Sequence, residues 1–208
     1  MIKFKILGCK ISLSFPLVCA LSIVFVLDKT SLGAISCVCA VCHELGHIIA
    51  MKMLNTTTNN IRLSLFDANI NDNYKHRRTL PSELFVILSG VAVNLTLCLV
   101  SFVVYKNTNI NEFLSFSTAN MFLAVFNLLP VESLDGGNAI YVILIKFVEE
   151  QTAETILQII SFVILLPLAT IGFIILIKSQ YNFTLLFTSC YLMSIIVLKK
   201  SKVLWRTK

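Results

Sequence analysis

The sequence predicts an all-α polytopic membrane protein: one domain over residues 1–208, with about six transmembrane helices. Three observations lead there. Of its 208 residues, 57% are hydrophobic and only 13% charged, whereas an ordinary soluble domain is about 25% charged. Apolar runs recur at span length, roughly 18 residues or more being needed to cross hydrocarbon. Two groups of ionisable residues sit inside those runs, where each is costly and marks function.

The expected spans are 11–28, 32–54, 83–105, 113–129 continuing as a short helix at 138–148, 156–177, and 181–198. The basic start, Met1 to Lys10, precedes the first apolar run without a small-residue cleavage site, so that run is read as a retained span. The fourth span must break. Asn127-Leu128-Leu129-Pro130 is followed by Asp135-Gly136-Gly137-Asn138; proline lacks a donor and paired glycines free the backbone. Unwound backbone at membrane depth survives only inside protein or beside a wet cavity. The polar stretch from Asn55 to Pro81 holds Ile61-Arg62-Leu63-Ser64-Leu65. Its alternation predicts a strand, and a small β-hairpin at 60–75. Such a strand offers an edge to an extended substrate backbone.

Charge sets the topology. The net charge is +6. With six spans and a cytoplasmic N-terminus, the inner segments hold 14 Lys and Arg, and the outer ones hold 3, namely Lys29, Lys106 and Lys178. The positive-inside rule then puts both termini in the cytoplasm. The positives flank spans and no nucleic-acid motif accompanies them, so the bilayer is the expected partner and nucleic acid is not. The seven cysteines (9, 19, 37, 39, 42, 98 and 190) are odd in number and lie mostly in apolar runs, which argues against a disulfide framework.

The chemistry starts at His43-Glu44-Leu45-Gly46-His47, inside the second span. Residues four apart on a helix share a face, so both imidazoles can reach one metal ion. Glu44 beside them can serve as general base toward water at that metal. Catalytic zinc takes three protein ligands, and Asp135 is the best-placed third. His47 lies about 10 Å inside the inner end of its span at roughly 1.5 Å per residue, and the break in the fourth span brings Asp135 to a similar depth. The zinc site is therefore expected between the second and fourth spans. Asn94 and Asn127, amides in apolar spans, are candidate oxyanion donors.

Competing readings use the same residues. Asp135 can instead cap the short helix, and Asn94 can form an interhelical hydrogen bond. Cys39-Ala40-Val41-Cys42-His43 has the Cys-x-x-Cys-His spacing of covalent haem attachment, which leaves Glu44, His47 and Asp135 unexplained. A non-proteolytic zinc carrier or sensor would use the two histidines and the aspartate without Glu44.

Taken together, these residues resemble the site-2 proteases, zinc enzymes that cut peptide bonds inside membranes. The family pattern joins His-Glu-x-x-His to Asn-x-x-Pro-x-Pro-x-Leu-Asp-Gly, here Asn127 to Gly136. Ser89-Gly90-Val91-Ala92-Val93-Asn94 is similar to a third motif, Gly-Pro-x-x-Asn. The resemblance spans essentially the whole chain. It implies His43, His47 and Asp135 as ligands of one Zn2+, Glu44 as general base, a membrane-anchored regulatory protein as substrate, and membrane regulatory subunits as partners. Two family prolines are replaced, by Glu132 and Val91. With neither a PDZ nor a CBS domain, the plan is closest to the sporulation branch, which processes a membrane-tethered sigma-factor precursor in endospore-forming bacteria; that resemblance implies a bacterial cytoplasmic membrane. The active site is then expected toward the cytoplasmic face.

Overall fold

The computed structural model describes residues 2–6, 9–13, 32–55, 60–63, 68–70, 79–179, 190 and 192–194. The chain divides into two compact units, Met1–Phe126 and Asn127–Lys208.

Among the described residues, the first unit holds four strands, β1 (Ile2–Ile6), β2 (Cys9–Leu13), β3 (Asn60–Leu63) and β4 (Ala68–Ile70). They form one sheet in the order β1-β2-β3-β4. The outer pairs are antiparallel hairpins and β2 runs parallel to β3, with Ile11 opposite Ile61. The hairpin expected at 60–75 is present as β3 and β4. The N-terminal strands correct the all-α expectation. Ile2-Lys3-Phe4-Lys5-Ile6 alternates apolar and polar residues, the period of a strand, and β1–β2 covers an edge that β3 would otherwise leave open. Residues 11–13, expected to open the first span, belong to β2; the rest of that span lies outside the described residues. Leu63 is paired on both sides, to Leu13 and Ala68. An incoming strand would therefore meet β1 or β4, not β3.

Helix α1 (Leu32–Met53) follows β2 in sequence and α2 (Leu80–Thr108) follows β4. Pro81 stands in the first turn of α2, where its missing N–H costs nothing. Asn109 closes α2 in the left-handed region (φ 55°) and donates its backbone N–H to the Tyr105 carbonyl. After one further residue the chain enters α3 (Asn111–Asn127). Burial is inverted relative to a soluble protein. The buried residues of α1 are Cys39, His43, Gly46, His47, Ile48, Ala50 and Met51. Those of α2 include Gly90, Asn94 and Ser101, and those of α3 are Ser117, Asn120 and Ala124. Phe102, Val103, Phe122 and Val125 face outward. Small and polar residues inside with large apolar residues outside is the arrangement lipid selects. Ile48, Ala50, Met51 and Val86 form an apolar cluster between α1 and α2.

The second unit begins with the break. Between Asn127 and Asp135 the chain turns twice, with Val131 N–H donating to Leu129 O and Leu134 N–H donating to Val131 O, both at 2.8 Å. Helix α4 (Asp135–Leu144) starts at Asp135, three residues earlier than expected, and α5 (Glu150–Ser179) follows. Gly136 and Gly137 are part of the helix. They do not loosen it. They admit the returning chain: a Cβ on Gly136 would strike the Leu128 and Leu129 carbonyls, and one on Gly137 the Val131 carbonyl. Along α5, Ala153, Leu157, Ser161 and Leu165 are buried and four residues apart, one stripe of the helix.

Among the described residues, three helices are long and apolar enough to cross a membrane: Leu32–Met53, Leu80–Thr108 and Glu150–Lys178. They correspond to the expected second, third and fifth spans. The expected fourth is the 17-residue α3, then the break and α4. Of the sixth, residues 190 and 192–194 are helical and the rest lies outside the described residues.

Candidate metal centre

The first unit carries the histidine pair. His43 and His47, one turn apart on α1, are 6% and 8% exposed. The rings meet edge to face, and their Nε2 atoms are 3.2 Å apart. His47 Nδ1 lies 2.8 Å from the Val86 carbonyl oxygen on α2. A carbonyl only accepts, so Nδ1 carries a proton, and Nε2, turned toward His43, is the nitrogen left to bind a metal. Fixing a tautomer through the far nitrogen is how proteins prepare a metal-binding imidazole. Two nitrogens at 2.0–2.1 Å from one tetrahedral zinc would stand roughly 3.3 Å apart. The donor pair therefore fits zinc. Glu44 is half-buried beside them.

Two glycines make this geometry. A Cβ on Gly46 would lie 2.9 Å from Ser89 O and 3.1 Å from the Gly90 Cα. One on Gly90 would lie 2.5 Å from His47 Nε2 and 2.8 Å from His43 Nε2. Helices α1 and α2 thus meet backbone to backbone, and the imidazoles occupy the space a Gly90 side chain would fill. The Ser89 hydroxyl is a second donor to the Val86 carbonyl, at 2.6 Å. Neither glycine contact has a sequence signature of its own, because both depend on the crossing of helices about 40 residues apart.

Asn94 is one turn beyond Gly90 on the buried face of α2, and is 0% exposed. Neither its amide nitrogen nor its amide oxygen has a hydrogen-bond partner among the described residues. The interhelical bond considered for it is absent there. Leaving such a group buried costs about 1–3 kcal/mol. Asn120 on α3 is equally buried; its Nδ2 donates to Phe116 O, and its Oδ1 has no partner among the described residues. An amide within an apolar span singles out Asn94 and Asn120 alike, and the sequence reading used only the first.

The second unit carries Asp135. It is the first helical residue of α4, the N-cap being Leu134, so the simple capping role does not apply. A carboxylate in the first turn is favoured by the helix dipole. Asn127, the last residue of α3, and Asp135 bracket the break, and both are half-buried. Among the described residues, Cys37, Cys39, Cys42, Cys98 and Cys190 are free thiols.

Residues 104–168 match the model of Peptidase family M50. That stretch takes in α3, the break and Asp135, and ends within α5. No curated protein matches the chain. The fold is similar to that of the site-2 protease from Methanocaldococcus jannaschii, with a TM-score of 0.65 and 23% identity over 95% of this chain and 94% of that one. The chain is therefore an integral membrane protein with a site-2 protease fold.

Proposed function

We propose that the protein is an intramembrane zinc endopeptidase, with His43, His47 and Asp135 as ligands and Glu44 as general base. The observation that carries the reading is the histidine pair: buried, 3.2 Å apart at Nε2, with the His47 tautomer set by Val86. Zinc bound there would supply acidified water and a polarised carbonyl. Glu44 would take the proton of the attacking water and pass it to the departing amine. As the carbonyl carbon turns tetrahedral, the amides of Asn94 and Asn127 would donate hydrogen bonds to its oxygen. The substrate is a membrane-anchored regulatory protein cut near the cytoplasmic face, and the resemblance to the sporulation branch suggests a sigma-factor precursor. A substrate segment unwound from its helix would pair with an edge strand, β4 or β1.

The test is elemental analysis of detergent-purified protein, wild type beside Asp135→Ala. About one zinc per wild-type chain, and a clear loss in the variant, is expected when three ligands share one ion. Full zinc in Asp135→Ala removes Asp135 from the ligand set. A wild type without metal under zinc-replete conditions removes the whole reading.

Asn94 gives a second, opposite-signed expectation. Asn94→Leu deletes an unpartnered buried amide and should raise thermal stability, by about 1 kcal/mol or more. Cleavage should fall about 10²-fold as an oxyanion donor is lost. Thermal melts beside a cleavage assay check both; a variant that is stabilised and fully active has no catalytic Asn94 to lose.

A further inference from the structure

The turn Val131–Leu134 precedes Asp135, closed by the Leu134 N–H on the Val131 carbonyl. Glu132 is therefore residue i+1 of a β-turn. That is the position proline favours, because its ring presets the φ of about −60° required there. The site-2 protease pattern has its second proline at this residue. Glutamate lacks the ring but restores a backbone N–H. That N–H donates to Ser161 Oγ on α5 at 2.9 Å, and Ser161 Oγ donates in turn to Leu157 O at 2.7 Å. Ser161 is 0% exposed, within the buried stripe of α5, and Val131 beside the turn is also 0% exposed. The same stretch of chain is pressed onto Gly136 and Gly137, so a shift of the turn moves the start of α4, and Asp135 with it.

We infer that Ser161 is a positioning residue for Asp135, acting through the Glu132 backbone, and that it replaces by a hydrogen bond the rigidity a proline would give. This rests on the proposed role of Asp135 as a zinc ligand, while the anchor itself exists whether or not zinc binds. Ser161 is not among the proposed ligands, and among the described residues its hydroxyl bonds only backbone groups, Glu132 N–H and Leu157 O. Its serine is required because a hydroxyl can accept from one backbone group and donate to another at once. Threonine keeps that chemistry. Alanine does not, and leaves the part-buried Glu132 N–H without its acceptor.

The experiment is a cycle of Ser161→Ala, Glu132→Pro and the double variant, with Ser161→Thr as the conservative control, in the full chain in detergent. Two quantities are read: zinc affinity by competition with a chelating dye, and backbone hydrogen exchange over 128–137 in metal-free protein. Ser161→Ala should weaken zinc about tenfold, the lower end for loss of an orienting partner. It should speed exchange over 128–137 about two- to tenfold, the effect of one ordinary hydrogen bond. Ser161→Thr should restore both. In the Glu132→Pro background, where no N–H remains to be anchored, Ser161→Ala should change neither. An equal effect of Ser161→Ala in both backgrounds would mean that it acts through packing, and would overturn the inference. Unchanged exchange in Ser161→Ala would overturn it as well. A wild type that binds no zinc overturns the role toward Asp135 together with the protease reading, and the exchange cycle then decides the anchor by itself.

Discussion

Glu44→Gln keeps zinc at the wild-type level and lowers cleavage of a membrane-anchored substrate by about 10²–10⁴-fold, the range for loss of a positioned acid–base group. The substitution preserves size and removes only the ability to accept and return a proton. Glu44 is not among the proposed ligands, so its loss leaves the metal site standing. Metal content and cleavage must therefore be measured on the same preparation. If both survive, Glu44 is not the general base; if the wild type binds zinc yet cleaves nothing, the protein belongs with carriers or sensors. If both vanish, Glu44 is part of the metal site and the separation of ligand from base is wrong.

Gly90→Ala should abolish tight zinc binding, with at least a 10- to 100-fold loss of affinity. The added methyl would sit 2.5 Å from His47 Nε2 and 2.8 Å from His43 Nε2. Either the rings turn away from each other or α2 withdraws, and withdrawal also takes the Val86 carbonyl from His47 Nδ1. Alanine favours a helix over glycine by about 1 kcal/mol, so a weakened helix cannot account for the loss. Zinc titration with circular dichroism on the same sample makes the comparison. Undiminished zinc affinity in Gly90→Ala would show that the histidine pair does not need the close approach of α2.

What the sequence disclosed, and what it did not, divides by the distance over which each feature is encoded. His43, Glu44 and His47 lie within one helical turn and a half, so their shared helix follows from local periodicity alone. The break before Asp135 was visible because Pro130 and two glycines act locally. Its form was not. Gly136 and Gly137 read as helix breakers, yet they are the first turn of α4, kept bare for three carbonyls of the preceding chain. The start of the helix shifted from 138 to 135 for that reason. The N-terminal strands also alternate plainly in sequence, as Ile2-Lys3-Phe4-Lys5-Ile6 does. Next to a long apolar run, their lysines also carry the topological signal of a span end, and that signal masks the alternation. The parallel pairing of β2 with β3 joins segments about 50 residues apart, beyond any local pattern. Val86, Ser89 and Gly90 act on the histidines from a different helix, and Ser161 acts on a turn 29 residues away.

The contact of Gly46 with Gly90 also limits how the molecule can move. Where Gly46 meets Gly90, α1 and α2 have no soft layer to compress or slide through, and a tilt of either backbone there would strike the other or tear His47 from its carbonyl partner. The two helices form a stiff strut, and the histidine pair rides on it as a fixed half-site. If the protein acts as proposed, the motion that admits a peptide must be made by parts of the chain outside that strut. Substitutions that tune substrate entry without disturbing the histidines should accordingly be sought away from α1 and α2.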